Sequence, residues 1–317
     1  MNKIYIKRHS DQAGKYIYKG FISAWEHCGY EVKLFDDLLE IKDSGDYEIM
    51  CLYSDIGYVD PNVLTIIGKP SDWNDERRYE IIKRSSRAYV WVQTNNFPEP
   101  WGNHPNWKCL IDDESITRIN NLPNVHLWSF GDITEFHNKW KKVNRVMLAF
   151  DSINYRNLAK KGHVYDVCFV GGWADNGFNE KRKIMLKHFA ELKKANLKCG
   201  VFINKNLTHE QENHVLCNSK VALNIHDAYQ RSLGFDSNER TFKALGLTGA
   251  LVCDKVGQVK STFPHLELYD NPKQMVDLIS YHVNLPKEEL EQIKIKNKDL
   301  LYREHTYVER VKQLREL

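Results

Sequence analysis

Three short stretches in the second half of this chain carry residue types suited to anion chemistry. The first is GGWADNGFNEKRK, where Gly171 and Gly172 are followed by Lys181 and Arg182. Glycines let a backbone come close to a ligand. A helix starting just beyond them aims its free N–H groups and positive dipole end at the same place. Cations are unfavourable beside a helix start unless an anion is there, so Lys181 and Arg182 point to a phosphate. The competing reading is an ordinary turn with solvated basic residues.

The second stretch is KVALNIH, with Asn224 and His226 at a strand end. A lone histidine is more often structural than functional, and here only position speaks for function. The third is SNERTFKALGLTGALVCD at 237–254. Asp236 and Glu239 have capping-box spacing. Arg240 and Lys243 lie at i,i+3, on one side of the early helix. A plain Glu239–Lys243 surface pair would be worth only about 0.2–0.5 kcal/mol. Two basic helix starts beside a glycine loop suit a diphosphate, which wants several charge-assisted donors in a fixed array.

The elements that must position these residues alternate. KIYIKR at 3–8 reads as a strand, 13–28 as a helix with Tyr16, Phe21, Trp25 and Cys28 on one face, and GYEVKLF as a second strand. YEIMCLYS, a charged helix NDERRYEIIKRSSR, AYVWVQT and a Trp- and Pro-rich loop NNFPEPWGNHPNW follow. VHLWSFG at 125–131 reads as the last strand of this half. The rhythm restarts with DVCFVGG, a helix over 180–192 with Met185, Leu186 and Phe189 on one face, LKCGVFI, KVALNIH, and a short strand and helix in LELYDNPKQMVDLISYHV. Two more helices reach the end. Alternation of this kind predicts an α/β open sheet with right-handed crossovers, repeated in the second half. Ligands of such sheets bind outside the carboxyl ends of the strands.

Bulk properties narrow the function classes. A length of 317 residues suits two domains. The net charge of +3 argues against a dedicated nucleic-acid binder, although RRYEIIKRSSR is a local basic patch. No apolar run approaches a membrane span, and the opening MNKIYIKRHSDQ lacks a signal-peptide core. The seven cysteines are scattered without a CxxC pair, which reads as reduced core thiols of a cytoplasmic protein. HEQENH places His209 and His214 at i,i+5, not the i,i+4 of a helical metal pair, so no metal is expected there.

The order FVGG, then KVALNIH, then NERTFKALGLTGALVCD, then YDNPKQMVDLI, then EHTYVERVKQL resembles the catalytic half of GT-B glycosyltransferases, in particular the group of the spore-maturation CgeB proteins. The likeness covers about 165–317. The first half matches in outline, through GYEV and LAFDSINY. The resemblance implies two facing Rossmann-like domains with a cleft: 1–150 for the acceptor, 165–302 for a nucleoside-diphosphate sugar, and a C-terminal helix over 303–317 packing back on the first. It implies sugar transfer to a glycan or glycoconjugate, with no metal and no cofactor beyond the donor substrate. Gly171, Gly172 and Arg182 fall on the family's glycine loop and its helix, Asn224 on its "LN" position, and Arg240 on its motif arginine.

Lys243 departs from the family, which usually has a ribose-binding glutamate there. An ammonium is donor-only and cannot accept from ribose hydroxyls. Lys243 is therefore expected either to reach a phosphate or to mark a changed donor site. The first half should supply a general base. His9 and Asp11, directly after the first strand, rank first, ahead of Asp55, Asn95 and Glu99; Asp11 also suits a helix cap. Two alternatives stand beside glycan transfer: a glycosyltransferase acting on DNA bases, and a sugar-nucleotide-binding protein without turnover.

Overall fold

The computed structural model describes residues 2–8, 14–51, 56–60, 65–67, 75–92, 97–99, 107–109, 113–155, 162–173 and 180–317. His9, Asp11, Asp55, Asn95 and most of NNFPEPWGNHPNW lie outside them. The chain divides into two compact units, Met1–Met147 with Val311–Leu317, and Leu148–Arg310.

The first unit runs β1 (Lys3–Lys7), α1 (Gly14–His27), β2 (Glu31–Phe35), β3 (Glu48–Cys51), β4 (Ile56–Asp60), β5 (Thr65–Ile67), α2 (Glu76–Arg84), β6 (Arg87–Trp91), β7 (Trp107–Cys109), α3 (Asp113–Asn121), β8 (Val125–Ser129) and β9 (Val143–Arg145). Its main sheet is parallel, in the order β2-β1-β3-β6-β8-β9. The central strands are apolar runs because both faces are covered: Ile4, Ile6, Ile49, Met50, Ala88, Tyr89 and Val90 are buried. α1 lays Ile17, Phe21, Ala24 and Trp25 inward at helical spacing.

VHLWSFG is not the last strand of this sheet. β9 pairs beyond it, and its three residues, VNR, are too short and polar to announce a strand. A small antiparallel sheet, β5-β4-β7, was also not expected.

The second unit runs β10 (Tyr165–Gly171), α4 (Lys181–Leu192), β11 (Cys199–Ile203), α5 (His209–Cys217), β12 (Ser219–Asn224), α6 (Ala228–Leu233), α7 (Glu239–Leu247), β13 (Leu251–Asp254), α8 (Gly257–Thr262), β14 (Leu268–Tyr269), α9 (Pro272–Asn284), α10 (Lys287–Glu304) and α11 (Tyr307–Arg315), the last of which continues into the first unit. The parallel sheet order is β11-β10-β12-β13-β14. Val167, Phe169, Val221, Leu223 and Val252 from the strands meet Met185, Met275 and Ile279 from α4 and α9. Leu186, expected on the inner face of α4, is instead 53% exposed, one position round from the buried Met185. Asn271 caps α9, accepting from the N–H groups of Lys273 and Gln274 at 3.1 Å. Val311–Leu317 is tied within the first unit: Gln313 donates to the Arg145 carbonyl at 3.0 Å, and the Arg315 guanidinium lies 5.4 Å from the Tyr30 ring.

Among the described residues, Cys168, Cys199 and Cys253 are free thiols. Burial pushes the Cys168 thiol up to about 12. No described helix is long and apolar enough to cross a membrane.

Candidate functional site

The carboxyl ends of β10, β12 and β13 bring most of the second unit's candidates together. Arg240, in the first turn of α7, crosses the end of β10. Its Nε donates to Asn224 Oδ1 at 3.2 Å and its Nη2 to the Ile225 carbonyl at 3.4 Å. Its guanidinium lies 5.5 Å from the Phe169 ring centre. Gly171 is required by this passage, since a Cβ there would lie 3.1 Å from Arg240 Cδ and Cζ. At Gly172 a Cβ would meet Asn204 Oδ1 at 2.8 Å. The space that the two glycines leave is thus taken by protein side chains, where the sequence pointed to close approach of a ligand.

Lys181 opens α4 and is 2% exposed. Its ammonium donates to the Ile225 carbonyl and lies 3.1 Å from Asp227 Oδ1. Two cations, Lys181 and Arg240, therefore converge on one carbonyl oxygen. Burial, and next the Arg240 charge, pull the Lys181 ammonium down to about 8, against the opposing pull of Asp227 and Asp254. Arg182, expected in the same array, points elsewhere: it is exposed and packs 5.5 Å from the Trp173 ring centre. Two non-glycine residues at this edge, Glu180 before α4 and Asn204 after β11, hold left-handed backbone with φ of 47° and 52°. Such positions persist only where surrounding structure over-determines them.

Asn224 and His226 are buried members of a directional hydrogen-bond chain. Asn224 Nδ2 donates to Thr241 Oγ1 at 2.9 Å, leaving that hydroxyl to face His226 Nε2 at 3.4 Å. His226 Nδ1 donates to Asp254 Oδ1 at 2.7 Å, and its backbone N–H reaches Asp254 Oδ2 at 2.9 Å. This pattern assigns the proton to Nδ1. Burial pushes the His226 pKa down. Burial would raise the Asp254 carboxyl, but the His226 hydrogen bonds and nearby positive charge hold it well below the usual range. His226 is fully buried and connects Asp254 to Thr241, and so to the side chain that orients Arg240. His226, Cys253 and Asp254 bring three metal-ligand atoms within 4.8 Å, yet the 2.7 Å His226–Asp254 contact is a hydrogen bond. His209 lies against Tyr155, ring centres 5.0 Å apart, and His214 faces Asn218, at 3.3 Å.

Lys243 is neither at the glycine loop nor on a solvated face. It is 5% exposed. Its ammonium lies 3.1 Å from both carboxylate oxygens of Glu212 and 3.3 Å from Glu239 Oε1. Tyr155 completes the cluster, donating to Glu212 Oε2 at 2.7 Å, with its ring centre 5.2 Å from the ammonium. The i,i+4 pair with Glu239 exists, but inside the protein and shared with a third residue. Burial raises the Glu239 carboxyl, against the pull of Lys243. Burial works against the Lys243 charge, and Glu239 and Glu212 together hold its pKa above the ordinary value.

The capping-box reading of Asp236 and Glu239 fails: Asn238 is the N-cap residue of α7. Sequence reasoning also missed Asp227, Asp254, Glu212 and Tyr155. Asp254 ends the ALVCD strand and could have been found by the strand-end rule. Asp227 could have been found from D-x-x-Q, because its backbone N–H reaches Gln230 Oε1 at 3.4 Å. Glu212 and Tyr155 carry no local signal.

The comparisons with known proteins bear on the fold and the family. No curated protein matches the chain by sequence. Among solved structures, a mutant of T4 phage BGT in complex with UDP-glucose is similar over 100% of this chain and 98% of its own, at 12% identity and a TM-score of 0.56. HepE from Anabaena, in complex with UDP, is similar over 100% of this chain and 99% of its own, at 11% identity and a TM-score of 0.52. TarM covers 85% of this chain, which spans 54% of TarM, at 12% identity and a TM-score of 0.51. At such identities the likeness shows the fold, which is that of GT-B glycosyltransferases. The model described as glycosyl transferase-like matches residues 156–316, half of the 317-residue chain and all of the strand ends that carry Lys181, Asn224 and Arg240. The chain belongs to this glycosyl transferase-like family.

Proposed function

We propose that this glycosyltransferase moves a sugar from a UDP-sugar to a glycan or glycoconjugate acceptor, with Lys181 and Arg240 receiving the leaving diphosphate. The observation that carries the reading is their convergence on the Ile225 carbonyl at the carboxyl edge of the sheet. Two like charges held this close in a buried site repel each other, and an anion between them relieves the repulsion. Donors fixed in advance stabilise the charge that develops on the leaving group without reorganisation. Uridine is the preferred nucleotide because similar structures hold UDP-glucose or UDP. Gly171 clears the path of the guanidinium, and the Asn224–Thr241–His226–Asp254 chain fixes its orientation.

The charge of the two side chains is proposed to serve without a metal ion, although one structure of T4 phage BGT contains UDP together with Mn2+. The test is UDP binding with and without excess EDTA, and again with added Mn2+.

The reading of DNA bases as acceptor is supported by a similar structure, with a TM-score of 0.50 at 10% identity, of a DNA modifying β-glucosyltransferase. Three of the five cations in the basic run of the first unit weigh against it. Arg78 pairs with Asp37 and Asp75 at 2.7 Å, Arg77 with Asp75 at 3.0 Å, and Lys83 with Glu80 at 3.0 Å. Cations already matched by carboxylates release few counterions from a duplex. Duplex affinity with a steep salt slope would reverse the preference. Hydrolysis of UDP-sugars without acceptor separates an enzyme from a binding protein that has lost turnover.

A further inference from the structure

The turn entering α7 holds two buried polar atoms without a hydrogen-bond partner, Asp236 Oδ1 and Asn238 Nδ2. The rest of each side chain is fixed. Asn238 Oδ1 accepts from Asn224 Nδ2 at 2.9 Å. The Asp236 carboxylate takes a hydrogen bond from the Gln230 side chain, and Gln230 Oε1 in turn accepts from the Asp227 N–H at 3.4 Å. Asn224 also holds Arg240, and Asp227 also pairs with Lys181. Asn238 is thus linked to Arg240 through Asn224, and Asp236 to Lys181 through Gln230 and Asp227. Helix capping does not explain them, because Asn238 makes no side-chain cap bond to α7. An unmade bond on a buried donor or acceptor is costly, and native proteins retain few of them.

We propose that Asp236 and Asn238 recognise hydroxyl groups of the donor's hexose, next to the diphosphate. The inference rests on the UDP-sugar reading above. In a sugar nucleotide the hexose is bonded to the diphosphate, so groups that read it must lie beside the phosphate-binding cations. A sugar hydroxyl both donates and accepts, and neighbouring hydroxyls are matched by one acceptor and one donor. A carboxylate oxygen and an amide N–H supply that pair. Both atoms are shielded in the unliganded protein, so contact requires rotation of the two side chains about their remaining hydrogen bonds. Burial, joined by the Asp227 charge, pushes the Asp236 carboxyl up to about 7; a hydroxyl donating to the ionised form would stabilise it. UDP alone has no hexose and would leave both bonds unmade.

The test is calorimetric titration of the full chain with UDP, UDP-glucose, UDP-galactose and UDP-N-acetylglucosamine. Asp236→Asn and Asn238→Asp are the variants, each nearly isosteric and each inverting one side of the donor–acceptor pair. The expected result is UDP affinity within twofold of wild type, with the ratio of UDP-hexose to UDP affinity lowered at least tenfold for the best sugar. An unchanged ratio in both variants overturns the inference while leaving the UDP site standing. An equal loss for UDP and UDP-hexose also overturns it, by placing the pair on the diphosphate. Failure of the wild type to bind any of the four overturns the donor reading itself. If Asp236→Asn fails to fold, Asn238→Asp reads the same ratio.

Discussion

Lys243→Ala removes the one ammonium that lies between Glu212 and Glu239. Both carboxylates are largely buried, with side-chain exposures of 11% and 12%. Tyr155 still donates to Glu212 in the variant, but Glu239 loses the ammonium that pairs with it. Breaking a buried ion pair from one side costs about 3–5 kcal/mol. For a unit of this size, at about 2–4 °C per kcal/mol, the melting temperature should fall by roughly 6–20 °C. The deficit should depend on pH with a definite sign. Glu239 is already raised by burial, and loss of Lys243 raises it further. An acid whose folded pKa exceeds its unfolded value is neutral in both states at low pH and penalises the folded state as pH rises. The difference from wild type should therefore be small near pH 4.5 and grow toward pH 7. Calorimetric melting of both proteins across that range is the assay, with UDP affinity measured in parallel at a temperature where both are folded. A melting temperature within 1 °C of wild type, together with a tenfold loss of UDP affinity, would refute the reasoning and place the lysine on the ligand.

Other consequences follow from the same geometry. Arg240→Gln should weaken UDP binding by about 1.5–3 kcal/mol, the worth of a charge-assisted hydrogen bond, with little change in melting temperature; calorimetry reads both. Gly171→Ala should weaken UDP binding as well, because its Cβ would displace the Arg240 side chain; a wild-type affinity would show that the guanidinium is not held against the glycine. UDP affinity should fall as pH rises through about 8, because an anion prefers the protonated Lys181 and that ammonium is pulled down to about 8. Binding should take up a proton in that window, and Lys181→Arg should flatten the profile. Excess EDTA should leave UDP affinity unchanged.

Much of this molecule was legible in its sequence where information is local. Apolar runs such as YEIMC and KVALN announce central parallel strands, since both faces of such a sheet are covered. The strand-end rule then located Gly171, Asn224 and Arg240. What escaped reading was set by long-range partners or by brevity. Lys243 sits beside Arg240 in the sequence, yet its neighbours in space are Glu212, 31 residues away, and through it Tyr155, 57 residues further back. No periodicity reports such contacts. Lys181 and Arg182 are equivalent by type and adjacent in sequence, but one step along α4 turns one inward and the other to solvent. β9 has three residues and no apolar alternation, so only its pairing with β8 reveals it.

The central claim is that Lys181 and Arg240 together form a diphosphate site. The most direct measurement is titration calorimetry of UDP against the wild type, Lys181→Met, Arg240→Gln and the double variant at pH 7. The account predicts saturable one-to-one binding to the wild type, at least tenfold weaker binding to each single variant, and no measurable binding to the double variant. Wild-type affinity retained in the double variant, or no binding of UDP by the wild type, would contradict it.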